Sequence, residues 1–243
     1  MNLYLDIGNT NLKFGYEIEN QFHFYTLPTL ENYTCDMLSK NLESFIKKQK
    51  FNYLIVSSVV PSLNLVIKDF ASIHLKSKVM FIDKIKKEIL NLNGREHSSI
   101  GSDIIANALY VSSRYEDAIV ISLGTATVIF HVVSKRLEGA IIAPGVKNSY
   151  LSLIQSAKKL SEVILKLPRK NLGGNTQEAI SLGILKGNFH LINGFINELD
   201  PKGKSKILIT GGNYGMLKDV LKDYEYVDNM VILGLKDYYE IFK

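Results

Sequence analysis

A nine-residue segment near the start of the chain, Leu3-Tyr-Leu-Asp6-Ile-Gly8-Asn9-Thr10-Asn11, has a near copy 116 residues on, Ile119-Val-Ile-Ser122-Leu-Gly124-Thr125-Ala126-Thr127. Each begins as an apolar run that a strand would bury, passes a Gly two residues beyond a polar position, and ends in small hydroxyl or amide side chains. A second strand-like stretch follows each copy, Leu12 to Ile18 and Val128 to Val133. This is the pattern of a duplicated hairpin whose turn grips phosphate. It points to an ATP-using enzyme with two similar halves.

The length of 243 residues suits one large domain or two smaller ones, and 46% hydrophobic with 22% charged residues is ordinary globular usage. The net charge of +5 comes from scattered Lys without a long basic block, so no nucleic-acid partner is expected. One cysteine, Cys35, excludes an intramolecular disulfide and a cysteine-cluster metal site, and a reducing cytoplasm is the simple expectation. Met1-Asn2-Leu3 runs straight into a strand, without the basic and apolar regions of a leader, and no apolar run approaches a membrane span; no membrane partner is expected.

Along the chain, Phe22 to Leu27 reads as a third strand stopped by Pro28, completing a meander. Leu38, Leu42, Phe45 and Ile46 fall at helical spacing between Glu31 and Lys50, with Lys47 and Lys48 in the last turn. Tyr53–Val59 and Val79–Ile82 read as strands on either side of a helix opened by Pro61, and an amphipathic helix runs from about Ser102 to Arg114. The second half repeats the order, with strands at 118–122, 127–133 and 137–142. Helices follow from Gly145 to Lys158 and Thr176 to Leu199, then a strand at Lys206–Thr210. A helix near Tyr214–Lys222, a short strand at Tyr226–Val227 and a helix from Asp228 or Asn229 close the chain. A meander followed by alternating α and β, twice over, is a mixed α/β layout. The expected domains are 1–115 and 116–243, facing each other across a cleft.

The segment Asp6-Ile7-Gly8-Asn9-Thr10-Asn11-Leu12-Lys13 carries the strongest chemical signal. Gly lets the backbone approach an anion, backbone N–H groups with Asn and Thr donate to phosphate oxygens, and Lys13 adds positive charge. Asp6 can hold Mg²⁺ directly or through water. The plainer reading is a structural Gly-Asn hairpin turn, against which the copy at 122–127 argues. Gly203-Lys204-Ser205 ends like a P-loop, but Glu198 stands where the first Gly belongs and the segment precedes a strand. The five histidines, 23, 74, 97, 131 and 190, show no paired spacing and read as surface or core positions rather than metal ligands. Asp103, in the first turn of its helix, reads on position alone as a capping acid.

In order, Asp6-x-Gly8-Asn9-Thr10-x-x-Lys13, Gly101-x-Asp103, Gly124-Thr125-Ala126-Thr127, Ala143-Pro144-Gly145, Asn175-Thr176 and Thr210-Gly211-Gly212 resemble the motifs of the type III pantothenate kinases. That family belongs to the sugar-kinase, heat-shock ATPase and actin superfamily. The resemblance implies two duplicated actin-like ATPase (ribonuclease H-like) domains with an interdomain cleft. It also implies ATP-dependent phosphorylation of pantothenate to 4′-phosphopantothenate, the first step of coenzyme A synthesis. By the resemblance, Asp103 is the base that takes the pantothenate hydroxyl proton. The first hairpin, Asp6 to Lys13, and Thr125 contact the nucleotide, and Gly211-Gly212 stand on the nucleotide side. Gly101, Ser102, Ile104 and Thr176 fall at the pantothenate site. Thr176 reads equally as part of a helix cap, and Gly211-Gly212 as a strand-to-helix turn.

The chain departs from the family pattern at three positions. Ser122 stands where the family has an Asp that ligates a monovalent cation, K⁺ or NH₄⁺; Ile104 replaces an Arg, and Phe130 another Asp. These departures leave two other readings open: a non-catalytic paralogue acting as a regulatory or binding protein, like the Bvg accessory factors, and a kinase for another small alcohol. The resemblance implies a homodimer. The apolar helix face Ile104, Ile105, Ala108 and Leu109 suits a subunit contact or packing within one domain.

Overall fold

The computed structural model describes residues 1–47, 49–157 and 162–243. Lys48 and Lys158, at the expected ends of two helices, lie outside them. The chain divides into two compact units, Met1–Ser113 together with Met230–Lys243, and Arg114–Asn229.

The first unit begins with the expected meander, β1 (Asn2–Ile7), β2 (Asn11–Ile18) and β3 (Gln21–Pro28). Helix α1 (Cys35–Ile46) follows, then β4 (Tyr53–Ser58). A 3₁₀ turn at Pro61–Leu63 leads into α2 (Asn64–Phe70), a π turn at Ala71–Leu75 and β5 (Lys78–Phe81). Helix α3 (Ser102–Ser112) completes this stretch. The sheet order is β3-β2-β1-β4-β5, antiparallel between β1, β2 and β3 and parallel on the other side. Leu3, Leu5, Ile7, Leu12, Phe14, Leu54 and Val56 fill one sheet face and pack with Leu38 and Leu42 of α1 and Ile67 and Phe70 of α2. Strand alternation sends Tyr4, Asp6, Lys13 and Ser57 to the other face.

The second unit repeats that plan with β6 (Asp117–Leu123), β7 (Ala126–Val133), β8 (Arg136–Pro144), β9 (Lys206–Thr210) and β10 (Glu225–Tyr226). Its order, β10-β9-β6-β7-β8, is that of the first sheet read from the opposite edge. Between β8 and β9 run α4 (Val146–Ser156), α5 (Thr176–Ser181), a π turn (Leu182–Lys186) and α6 (Gly187–Leu199). The helix expected over 176–199 thus carries one widened turn. After β9, α7 (Tyr214–Leu217) is shorter than the expected 214–222. Among the described residues, no helix is long and apolar enough to cross a membrane.

The closing helix α8 (Met230–Phe242) is a correction to the expected boundary, because it belongs to the first unit and not to the second. It packs on α3, β1 and β4. Its apolar residues Ile232 and Leu235 are fully buried, and Lys236 bonds Glu17 of β2 at 2.5 Å. The approach to α3 is close: a Cβ added at Gly234 would collide with the carbonyl oxygen of Ala106, which is backbone and cannot swing aside. Gly234→Ala is therefore expected to destabilise the protein by about 1–3 kcal/mol, the range for overpacking, measured as a lower urea midpoint at unchanged m. The helix face of Ile105, Ala108 and Leu109 is buried within the chain, so packing inside this unit accounts for it.

Candidate active site

In the first unit, β1 turns through Gly8, Asn9 and Thr10 into β2. The Gly8 N–H donates to the Asn11 carbonyl at 3.0 Å, and the Val59 N–H donates to the Ile7 carbonyl at 3.0 Å. Thr29 braces the turn twice, its hydroxyl donating to the Gly8 carbonyl at 2.7 Å and its N–H to the Thr10 carbonyl at 2.9 Å. Asn9, Thr10 and Asn11 are exposed at the tip. Ile7 and Leu12 are fully buried with their side chains in the core, so only their backbone is available to a ligand.

Strand register assembles the rest. Asp6 pairs with Lys13 of β2 on one side and Ser57 of β4 on the other. Paired residues share a face, so Lys13, Asp6 and Ser57 form a polar row on the side away from the α1–α2 core. The first turn of α3 joins this row: the Ser57 and Ser102 hydroxyls lie 3.0 Å apart in a hydrogen bond. Ser57 is fully buried, and sequence reasoning missed it because a Ser inside an apolar run reads as a neutral strand filler. Only the register, which sets it beside Asp6, reveals its place.

Asp103 follows Ser102. Its carboxyl bends back over the helix start, where a Cβ at Gly101 would stand 2.5 Å from its Oδ1; Gly101 leaves the space that this orientation occupies. Burial pushes the Asp103 carboxyl above the usual carboxylate range, opposed by hydrogen bonds from the backbone N–H groups of Ile104 and of Asp103 itself. Asp6 is pushed up to about 7, first by loss of hydration and then by the charge of Asp103, with Lys13 pulling the other way. Two carboxyls in mutual electrostatic reach with one lysine are short of positive charge. Hard oxygen donors in that condition fit a magnesium ion.

In the second unit, three motifs far apart in sequence converge on the turn between β6 and β7. The Gly124 N–H donates to the Ala126 carbonyl at 2.9 Å, and Asn148 Nδ2 and the Gly145 N–H both donate to the Thr125 carbonyl, at 2.9 and 3.2 Å. Asn213 Nδ2 donates to the Gly124 carbonyl at 2.7 Å. Gly211 has a φ of +101° and lies against the Leu123 backbone, where any Cβ would clash, while Gly212 faces open space. Thr125 is exposed at the tip. Thr127 instead turns into the core, its buried hydroxyl without a hydrogen-bond partner among the described residues. Ser122 shares its face with Val128 and Thr210, so its strand neighbours there offer no carboxylate. Phe130 is buried.

Asn175 caps α5, its side chain accepting from the Glu178 N–H at 2.9 Å. Thr176 is therefore the first helical residue, and it lines an open pocket of about 490 Å³ with Gly173, Gly174 and Leu153. Thus the structure groups Asp6, Lys13, Ser57, Ser102 and Asp103 in the first unit, and Thr125, Gly211 and Gly212 in the second. Thr176 lines the open pocket of the second unit.

Two sheets of one repeated topology, each with a glycine turn at the end of its central hairpin, define the actin-like ATPase and sugar kinase fold. Solved structures sharing it include a protein from Campylobacter jejuni assigned to the Baf family of transcriptional activators, at TM-score 0.66 and 20% identity over 99% of this chain and 98% of that one. A ROK family glucokinase from Streptomyces griseus aligns at TM-score 0.57 and 10% identity, covering 98% of each chain. The chain belongs to the type III pantothenate kinase family, whose model matches residues 2–198. Among its relatives, the type III pantothenate kinase of Desulforapulum autotrophicum is 32% identical over 250 residues (97% of this chain, 95% of the relative). That of Brevibacillus brevis is also 32% identical, over 252 residues (99% and 98%).

Proposed function

We propose that this chain transfers the terminal phosphoryl group of ATP to the hydroxyl of pantothenate, giving 4′-phosphopantothenate for coenzyme A synthesis. The observation that carries this reading is the grouping of Asp103 with Asp6, Lys13 and Ser102 beside a glycine turn, in a member of this family.

Asn9, Thr10 and Asn11 donate to phosphate oxygens from the exposed turn, and Lys13 offsets charge on the phosphates. Gly101, Ser102, Ile104 and Thr176 serve the alcohol substrate, and Thr125, Gly211 and Gly212 the nucleotide. Asp103 orients the hydroxyl and accepts its proton as the new O–P bond forms and the bond from the terminal phosphorus to the bridging oxygen breaks, releasing ADP. A carboxyl raised by burial is better matched to that task, since a general base works best with a pKa near the working pH. The Ser57–Ser102 hydrogen bond ties the first turn of α3 to the sheet and so fixes Asp103. Asp6 would hold Mg²⁺ directly or through water, and the bound ion supplies charge neutralisation on the phosphates.

Pantothenate-dependent ADP release in a coupled assay is the test. No release would overturn the reading, and release with another small alcohol but not pantothenate would reassign the substrate. The site of the monovalent cation does not fit: Ser122 offers a neutral hydroxyl, and no step is assigned to such an ion. Turnover is expected to stay the same when sodium replaces potassium or ammonium, as steady-state rates at constant ionic strength would show. A cytoplasmic homodimer completes the reading, and sedimentation at the monomer mass would count against it.

A further inference from the structure

The opposite face of the first sheet carries a second cluster of ligating side chains. Cys35 and Asp36 open α1, after Thr34, whose hydroxyl caps the helix by accepting from the Met37 N–H at 3.2 Å. The π turn after α2 brings His74 to them across 39 residues of sequence, and its Nε2 lies 2.9 Å from Asp36 Oδ1. One ligand atom from each of Cys35, Asp36 and His74 falls within 4.8 Å of the others. The buried Phe70 ring lies against the His74 ring, with centroids 6.1 Å apart, and Cys35 packs on the core that contains Leu38, Phe70 and Ala71. Two of the three ligands are thus held by packing. The third, Asp36, is 83% exposed and free to adjust.

We propose that Cys35, Asp36 and His74 bind a borderline-soft divalent cation, zinc by its chemistry, at a site separate from the Asp6 row. Sulfur, imidazole and carboxylate together suit zinc, whereas magnesium selects oxygen alone. With Zn–S of about 2.3 Å and Zn–N or Zn–O of about 2.0–2.2 Å, tetrahedral ligand atoms stand about 3.3–3.7 Å apart. The present His74–Asp36 distance of 2.9 Å is shorter than that and the outer limit of 4.8 Å longer, so binding requires small side-chain adjustments, to which the exposed Asp36 is open. Three protein ligands leave the fourth position to water. A plain Asp36–His74 surface ion pair, worth at most about 1 kcal/mol, accounts for two of these residues and makes no use of the thiol held beside them. The thiolate is the binding form, so the ion displaces the thiol proton to solvent and affinity rises with pH.

The test titrates cobalt(II) into the full-length, reduced, metal-stripped protein. One equivalent should give the intense visible bands of tetrahedral cobalt and a thiolate-to-cobalt charge-transfer band in the near ultraviolet, both bleached by zinc. Cobalt at the Asp6 row would have oxygen ligands and no such charge-transfer band. Cys35→Ser should abolish that band. His74→Gln should keep it but weaken binding by more than the roughly 10–100-fold lost with an outer-shell partner, and it carries the test if Cys35→Ser does not fold. Absence of the band in the parent protein, its persistence in Cys35→Ser, or parental affinity in His74→Gln would each overturn the proposal.

Discussion

Asp103→Asn is expected to lower kcat for pantothenate by about 10²–10⁴-fold, the usual contribution of a general base, with ATP affinity unchanged and no loss of melting temperature. The substitution keeps the shape of the side chain and one oxygen to accept from the backbone N–H groups of Ile104 and residue 103, so the helix start is preserved. It removes only the capacity to take a proton from the alcohol. Steady-state kinetics, nucleotide titration calorimetry and a thermal melt separate the two roles that the sequence leaves open. An early melt with proportionate loss of activity would assign Asp103 to capping instead.

Asp6→Asn is expected to make the protein more stable at pH 8 while removing most of its activity. The Asp6 carboxyl has its ordinary value of 3.8 in the unfolded chain and is raised to about 7 in the folded one. Between those values the folded state holds a proton that the unfolded state has lost, so stability falls as pH rises through this window. Below it both states are protonated and nothing is lost; above it the whole penalty applies. Asn carries no charge, so the gain should be on the order of 1–3 kcal/mol at pH 8 and near zero at pH 4. Urea melts at the two pH values check this. Equal destabilisation at both pH values would show that Asp6 is a structural group.

Much of this was legible in the chain because the relevant patterns are local. The apolar run from Leu3 to Ile7, interrupted by Asp6, announces a buried strand, and the matching run at 119–123, interrupted by Ser122, announces the duplication. Glycine followed by a small polar residue marks both turns, and Asn175 caps its helix as its side-chain chemistry allows, whereas the cap by Thr34 starts α1 later than the expected span from Glu31. What escaped depends on partners distant in sequence. Ser57 gains meaning only from register with Asp6, and Asn148 and Asn213 only from where α4 and α7 begin relative to the second turn. Cys35 and His74 meet through two helices and a π turn that no spacing rule encodes. Nearness in sequence places the closing helix in the second half, yet its small Gly234 and apolar face match α3.

That return of the C-terminal helix makes the first unit discontinuous along the polypeptide, whereas the second, Arg114–Asn229, is a single uninterrupted stretch. During synthesis from the N-terminus, all of residues 114–229 precede Met230. The sheet bearing Asp6, made first, lacks α8 over β1 and β4 until residues 230–242 have been added and released. Cutting the chain after Asn229 would therefore leave every strand of the second unit in place while stripping α8 from β1 and β4 of the first, baring apolar surface there.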